Sequence, residues 1–164
     1  MSAGVHASAV LLGERGVLLR GASGVGKSLL ALALIERGRR EGGFAALVAD
    51  DRVWLEAQGG RLIARGAPAT AGICERRGFG LVAAPQEREA VVRLVVDIAE
   101  RGQTPPRMAP DDNLYGNFCG VRLPRLTLDM TPGLDGAASA VMSGLERITD
   151  GMWRKIVDPG VIFA

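Results

Sequence analysis

The chain has 164 residues, of which 48% are hydrophobic and 23% charged, and its formal net charge is +2. Because globular domains commonly contain about 100–200 residues, this length predicts one domain spanning residues 1–164. The composition excludes a wholly disordered chain, and the near balance of charges argues against a nucleic-acid-binding protein, which carries a concentrated basic face. The sequence shows neither an apolar run of the roughly 20 residues that cross a membrane nor a signal-peptide pattern. We therefore expect a cytoplasmic protein without a membrane or nucleic-acid partner.

The first half of the sequence predicts an α/β sheet, because strand and helix patterns alternate along it. A short apolar run leads into a glycine-rich loop, and the next stretch lacks proline and glycine up to Gly38 and ends in basic residues, as suits the negative end of a helix dipole. A tight turn at Gln58-Gly59-Gly60 predicts a hairpin. The predicted elements are, in chain order, strand 16–20, helix 28–40, strand 44–49, and the hairpin arms 53–56 and 61–64.

The second half predicts further strands and a final helix. Residues 120–128 alternate in polarity and contain Pro124, which cannot donate to a central ladder, so this segment is predicted to be an edge strand. The apolar tail at 150–164 is expected to pack on the sheet or on a neighbouring subunit. The remaining expectations are a short strand or loop at 79–83, a strand at 91–98, a long loop at 101–117, a loop at 129–136 and a helix at 137–148. Residues 139–164 together are predicted to form a helical C-terminal tail.

The strongest chemical signal is a phosphate-binding pattern between the first predicted strand and helix. Such a loop turns backbone N–H groups toward an anion, and the helix behind it adds the positive end of its dipole. Only Lys27 and Lys155 are lysines among the 20 basic residues. A lysine is the compact charge that fits between phosphates, so Lys27 is predicted to bridge the β- and γ-phosphates while Ser28 binds Mg²⁺. The pattern G-x-x-x-x-G-K-S is matched by Gly21-Ala22-Ser23-Gly24-Val25-Gly26-Lys27-Ser28.

Acidic residues supply the candidates for metal binding and proton transfer. Asp50 and Asp51 follow a predicted buried strand, and ligands collect at the carboxyl ends of such strands. One aspartate is expected to hold Mg²⁺, and the second is a candidate general base. Glu75 precedes Arg76-Arg77 and a close G-x-G pattern, which indicates a loop near a ligand, although a surface salt bridge explains it equally well. The single histidine, His6, is by itself more typical of a structural residue. Cys74 and Cys119 form no C-x-x-C pair and are interpreted as reduced thiols.

Four motifs in order carry a family resemblance. They are His6 ahead of the P-loop, the P-loop at 21–28, Leu47-Val48-Ala49-Asp50-Asp51 followed by Val53, and Glu75-Arg76-Arg77-Gly78-Phe79-Gly80-Leu81. Together they resemble the catalytic domain of the bacterial HPr kinase/phosphorylase family, over residues 5 to about 100. The resemblance implies an α/β P-loop kinase core with a mixed twisted sheet and helices, similar to phosphoenolpyruvate carboxykinase. We expect a short form without the family's N-terminal domain, similar to truncated alphaproteobacterial members.

The resemblance also implies an activity and its residues. The expected reaction is the transfer of phosphate from ATP, with Mg²⁺, to a serine of an HPr-like phosphocarrier by a homo-oligomer, hexameric in the family. Asp51 would accept the serine proton, with His6 as a supporting residue, and Lys27 and Arg77 would contact phosphate oxygens. Ser28, Asp50 and Glu75 are the expected metal ligands.

The resemblance also implies the reverse activity, removal of the carrier's phosphate by phosphorolysis, but one departure from the family bears on it. The family's arginine-containing loop falls here on Asp129-Met130-Thr131-Pro132-Gly133-Leu134, which contains no arginine. Two alternatives stay open on the sequence alone. One is a non-catalytic nucleotide-binding regulatory module, and the other is a P-loop kinase for a small metabolite, with the loop at 101–117 as a lid.

Overall fold

The structure, a computed structural model, describes residues 3–67, 73–76, 78–105, 114–151 and 153. Within these ranges the chain forms a mixed α/β fold of strands and two helices. The elements are β1 (Ala3–Leu12), β2 (Arg15–Arg20), α1 (Lys27–Arg40), β3 (Ala45–Ala49), β4 (Arg52–Gln58), β5 (Arg61–Gly66), β6 (Ile73–Arg76), β7 (Gly80–Ala83), β8 (Glu89–Ile98), β9 (Tyr115–Phe118), β10 (Val121–Leu128) and α2 (Gly133–Thr149).

Five strands of the sheet pair in a closed circuit, β1–β2–β8–β5–β4 and back to β1. The long strand β1 makes this possible, because its first half pairs with β4 and its second half with β2 and β3. Strand β10 extends the sheet from β8 in parallel, and β9 pairs with β10 at the end. Strands β6 and β7 form a separate hairpin.

Two apolar cores lie on opposite sides of this sheet. One packs α1 and α2 against it and includes Leu30, Leu34 and Val141, all fully buried. The other includes Leu18 and Leu62 and draws on all five strands of the circuit. At roughly 1.5–3 kcal/mol for each large aliphatic side chain removed from water, these cores hold the strand ends in fixed relative positions.

The direction of three strands decides where the site lies. Strand β2 is parallel to β8, and both β2 and β3 are antiparallel to β1, so β2, β3 and β8 run the same way. Their carboxyl ends therefore meet at one edge of the sheet. The residues that follow these strands are Gly21, Asp50 and Ala99. Ligands of α/β sheets commonly bind at such an edge.

The predicted strands at 16–20, 44–49, 53–56, 61–64 and 91–98 and the helix at 28–40 are confirmed, and residues 80–83 form a strand. Two predictions of irregular structure were wrong. Residues 115–117 of the expected loop belong to β9 (Tyr115–Phe118), and α2 begins at Gly133, within the expected loop at 129–136. The predicted helix at 137–148 lies within α2, which ends at Thr149 with Asp150 as its C-cap. The predicted helical tail at 139–164 is therefore interrupted at residues 150–151, and most of its remainder lies outside the described residues.

The expectation of an edge strand at 120–128 was also wrong. Residues 121–124 of β10 pair with β9 and residues 125–128 pair with β8, so β10 lies between two strands. Pro124 is the last residue that pairs with β9, directly before the pairing changes sides. A proline at this change of partner removes no hydrogen bond from the middle of a continuous ladder, which explains why it is tolerated. Neither helix is long and apolar enough to span a membrane within the part of the chain described.

Candidate active site

A glycine-rich loop joins the end of β2 to the start of α1. Gly21 has no room for a side chain, since a Cβ there would lie 2.9 Å from the carbonyl oxygen of Ile98. Gly26 adopts φ 115°, in the left-handed region, and no side chain caps the first turn of α1, which contains no acidic residue. The N–H groups of this turn and the positive end of the helix dipole are therefore available to an anion.

Lys27 is the buried cation of this loop. Its Nζ donates hydrogen bonds to the carbonyl oxygens of Gly21, at 2.8 Å, and Ala22, at 2.9 Å. Burial lowers the pKa of the Lys27 ammonium below its ordinary value, while the negative charges of Asp51 and Asp50 act in the opposite direction. The ammonium is thus held against the loop by two neutral acceptors, which a phosphate oxygen can replace with a stronger, charge-assisted hydrogen bond.

Asp50 follows β3 and receives hydrogen bonds from three different elements. Ser28 Oγ, at the start of α1, lies 2.8 Å from Oδ1 and 3.0 Å from Oδ2. Ser8 Oγ, on β1, donates to Oδ1 at 2.6 Å. Cys74 Sγ, on β6, donates to Oδ2 at 3.2 Å. All three donors are neutral, so the negative charge of the carboxylate is available to a cation.

Asp51 is the next residue, yet its surroundings are different. Its side chain is 81% exposed, and its φ of 68° lies in the left-handed region. Strand β1 holds this conformation, because Ala7 N–H donates to the Asp51 carbonyl oxygen at 3.3 Å. His6 Nδ1 lies 3.1 Å from that oxygen and 3.1 Å from Asp51 Oδ1. Both atoms are acceptors, so the contact requires hydrogen on Nδ1 of His6.

A cavity of about 850 Å³ connects these groups. The loop at 23–28 forms one wall, His6 and Asp51 line another, and the segments 99–104 and 129–131 complete it. The volume lies in the range of small-molecule and cofactor sites. The described part of the chain therefore places an anion-binding helix end, a lysine and an exposed carboxylate around one space large enough for a nucleotide.

The structure brings together most of the site residues that the sequence predicted. His6, Ser23, Gly24, Val25, Gly26, Lys27, Ser28 and Asp51 line the cavity, and Asp50 contacts Ser28 directly. Glu75 lies in β6, opposite Leu81, but its side chain is outside the described part of the structure, as is the whole of Arg77. Among the described residues, no group of three His, Cys, Asp or Glu side chains forms a metal site. The roles of these residues stay predictions.

Sequence reasoning missed three residues of this region. Ser8 and Cys74 contact Asp50 from strands that are distant in sequence, and Arg101 lines the cavity after the end of β8. Only Arg101 had a usable signal. It follows a predicted strand, and the carboxyl ends of parallel strands share an edge.

A second group of charged side chains lies beside the site, on β2, β8 and β10. Arg20 donates to Asp97 with Nε, at 2.7 Å, and with Nη2, at 3.0 Å, and Arg125 Nε donates to the same carboxylate. Burial tends to raise the pKa of the Asp97 carboxyl, but the hydrogen bonds and charges of Arg20 and then Arg125 together hold it below its ordinary value. Arg20 also stacks over the ring of Phe118, with 4.8 Å to the centroid. We call Arg20, Asp97 and Arg125 the Asp97 cluster.

Comparison with known proteins identifies the family. A family model described as the HPr serine kinase C-terminal domain matches residues 1–143. The chain belongs to the HPr serine kinase family. The HPr kinase/phosphorylase of Clostridium beijerinckii is 34% identical over 139 residues, which are 79% of this chain and 43% of that protein. The enzyme of the same name from Chlorobium phaeobacteroides is 36% identical over 139 residues, 78% of this chain and 39% of that protein.

The chain thus spans about two-fifths of the length of these curated relatives. The HPr(Ser) kinase/phosphatase structure from Coxiella burnetii superimposes with a TM-score of 0.71 at 23% identity, over 90% of this chain and 99% of the other. At this identity the match supports the fold of the HPr kinase. The expected family and the mixed α/β architecture are both confirmed.

Proposed function

We propose that the chain is an ATP-dependent protein serine kinase that phosphorylates an HPr-like phosphocarrier. The observation that carries this proposal is the shared cavity, in which the uncapped start of α1 and Lys27 face the exposed carboxylate of Asp51. Family membership supplies the class of acceptor, because the matching relatives are named HPr kinase/phosphorylase. We further infer a cytoplasmic homo-oligomer with a P-loop kinase core similar to phosphoenolpyruvate carboxykinase, as the family resemblance implies.

The loop at 21–28 is proposed to hold the triphosphate of ATP. The N–H groups at the start of α1 and the Lys27 ammonium would bind the β- and γ-phosphate oxygens. Arg101 adds a second positive charge to the same cavity, in addition to the role that the resemblance gives Arg77. Spreading the charge of the transferred phosphoryl group over such cations is the main contribution of a protein to this reaction.

The hydroxyl and carboxylate oxygens of Ser28 and Asp50 fit a magnesium site. Mg²⁺ prefers oxygen ligands, and the two side chains lie within hydrogen-bond distance of each other beside the phosphate loop. We propose that they hold Mg²⁺ together with Glu75. When bound, Mg²⁺ would neutralise charge on the phosphate oxygens.

The proton step is assigned to Asp51. The acceptor serine would give its hydroxyl proton to Asp51 Oδ2 or Oδ1 while its oxygen bonds to the γ-phosphorus and the bond to the β-γ bridging oxygen breaks, which yields phosphoserine and ADP. His6 Nδ1–H binds the Asp51 carbonyl and lies beside Oδ1, so it would orient the carboxylate. The exposure of Asp51 suits a base that must reach a protein substrate.

We propose that phosphorolysis is the weaker direction. The segment at 129–131 lines the cavity with Asp129 and has no arginine. An incoming inorganic phosphate would meet a negative charge there, with no cation from the same loop to offset it.

The direct test is transfer of labelled γ-phosphate from Mg²⁺-ATP to HPr-like carriers, followed by identification of phosphoserine. We expect labelling with the wild-type chain and its loss in Lys27→Ala, because that variant removes the phosphate-binding charge. Lys155→Ala removes the only other lysine of the sequence and is the matched control. Nucleotide binding without labelling of any carrier would contradict the proposal and favour a non-catalytic nucleotide-binding module. Labelling of a small metabolite in place of a carrier would favour a metabolite kinase.

A further inference from the structure

Ser8 is a polar side chain that the proposed mechanism does not use. It lies on β1, 0% exposed, and among the described residues the only other buried polar or charged side chain is Lys27. Its hydroxyl donates to Asp50 Oδ1 at 2.6 Å. A buried hydroxyl needs a partner, since leaving it without one costs about 1–3 kcal/mol. That need alone does not explain why the partner is the carboxylate at the candidate metal site.

The hydrogen-bond donors around Asp50 divide between its two carboxylate oxygens. Each carboxylate oxygen accepts about two hydrogen bonds. Ser8 donates to Oδ1 and Cys74 donates to Oδ2, whereas the single hydroxyl hydrogen of Ser28 is within reach of both oxygens. Ser8 reaches the carboxylate from β1, where it also lines the cavity, and Cys74 reaches it from β6, so the two donors fix its rotation from elements other than α1. The face toward Ser28 is left for the interaction with a cation.

We propose that Ser8 is a positioning residue for the metal site, with Cys74 as a weaker second, and that the two set how strongly the protein binds Mg²⁺ with its nucleotide. This proposal rests on the proposed function in one respect, the binding of a metal nucleotide. Although Ser8 lines the cavity, its hydroxyl is bonded to Asp50, and neither Ser8 nor Cys74 is proposed to contact the nucleotide. Both act through Asp50, as partners behind a metal ligand commonly do.

The proposal separates metal binding from nucleotide binding. Ser8→Ala removes one fixed donor, so the carboxylate can rotate away from Ser28. We expect the Mg²⁺ concentration that half-saturates the binding of a fluorescent ATP analogue to rise about tenfold. Binding of the same analogue without metal should keep its wild-type affinity, because the loop at 21–28 and Lys27 are unchanged. Ser8→Thr keeps the hydroxyl and is expected to show the same dependence on Mg²⁺ as the wild type.

The thiol gives an independent second test. A thiol is a weak donor, so Cys74→Ala is expected to raise the half-saturating Mg²⁺ concentration about threefold, and Cys74→Ser to restore most of the loss. This test remains informative if Ser8→Ala does not fold, which a thermal melt and circular dichroism would reveal. Ser139→Ala, which loses a hydroxyl bonded to Arg37 at 2.7 Å on the helices, and Cys119→Ser, at an exposed thiol, are the matched controls.

The experiment is a Mg²⁺ titration of analogue binding with the full chain, repeated with Mn²⁺ and detection of the bound ion by electron paramagnetic resonance. A higher metal requirement with unchanged metal-free affinity supports the proposal. An unchanged metal requirement in both Ser8→Ala and Cys74→Ala overturns it, as does an equal loss of affinity with and without metal, which is the mark of a purely structural role. Phosphocarrier labelling is measured in parallel. Its absence from the wild type, with the shifted titration still present, refutes the proposed kinase function alone.

Discussion

The Asp50–Asp51 pair and the Asp97 cluster lie at the same edge of the sheet, but their charges are handled in opposite ways. Asp97 forms ion pairs with two arginines, so its negative charge is neutralised within the protein. Asp50 accepts hydrogen bonds from two hydroxyls and a thiol, and among the groups described the exposed side chain of Asp51 contacts only His6. Carboxylates supplied with neutral donors keep their charge for a ligand. The chemistry of the donors, more than the presence of an acid, therefore distinguishes a candidate site from a structural ion pair in this protein.

The largest expected effect comes from Asp51→Asn. This change removes the proposed proton acceptor and keeps the size of the side chain, so phosphoryl transfer should fall at least ~10²-fold while nucleotide affinity is retained. The measurement is the transfer rate to the phosphocarrier together with calorimetric binding of ATP. Asp97→Asn, assayed well below its unfolding temperature, is the control and should transfer phosphate at close to the wild-type rate. Wild-type turnover in Asp51→Asn would show that Asp51, like Asp97, is not required for phosphoryl transfer.

The second effect concerns stability and belongs to the Asp97 cluster. Asp97→Asn leaves Arg20 and Arg125 half-buried and facing each other without a carboxylate. Removal of one partner of a fully buried ion pair costs about 3–5 kcal/mol. Because both arginines are about a third exposed, we expect a smaller loss, of roughly 2 kcal/mol, in the free energy of unfolding. Urea denaturation followed by circular dichroism measures it. A loss as large in Asp51→Asn would show that both carboxylates are structural.

Low pH should weaken the stabilisation that the Asp97 cluster gives to the folded protein. The pKa of Asp97 is lowered in the folded protein, so the group binds fewer protons there than in the unfolded chain. Its stabilisation is fully present above the unfolded value of about 3.9 and is lost as the pH falls through the lower folded pKa. The difference in unfolding free energy between the wild type and Asp97→Asn should therefore be constant near neutral pH and shrink below about pH 4. A difference that does not change with pH would mean that the pKa of Asp97 is the same in the folded and unfolded states, and so that the arginines do not stabilise its charge.

The two regions also differ in how far the sequence predicts them. The phosphate loop could be recognised because its strand, glycines, lysine and helix are contiguous, and Asp50 and Asp51 because they end a buried strand. Ser8 and Cys74 could not, because their contact with Asp50 depends on which strands pair with β3 or approach it. Strand β1 itself escaped detection, since residues 7–10 are buried on both faces and show no alternation. The start of α2 was obscured by Gly133 and Gly136, which are weak helix formers.

The Asp97 cluster was missed for the same reason as Ser8. Arg20, Asp97 and Arg125 come from β2, β8 and β10, and only the parallel pairing of these strands brings them together. From the sequence alone, Arg20 reads as the polar end of a strand and Asp97 as an interruption of an apolar one. Long-range pairing thus converts three unremarkable residues into an ion cluster, as it converts a serine into a partner of the candidate metal site.

The smallest expected effect is that of Arg125→Lys, which tests whether charge alone balances Asp97. Lysine keeps the positive charge but is a point donor on a flexible stem, and it loses the planar guanidinium that holds its Nε against the carboxylate. Arg20 continues to bind both oxygens of Asp97, so we expect a loss of less than about 1 kcal/mol in the free energy of unfolding. Urea denaturation of Arg125→Lys beside Arg125→Met separates the two contributions, because methionine removes the charge as well. If the lysine variant is as unstable as the methionine variant, the geometry of the donor outweighs its charge. Asp97 and Asp50 would then differ in how their donors orient the carboxylate as well as in whether those donors neutralise it.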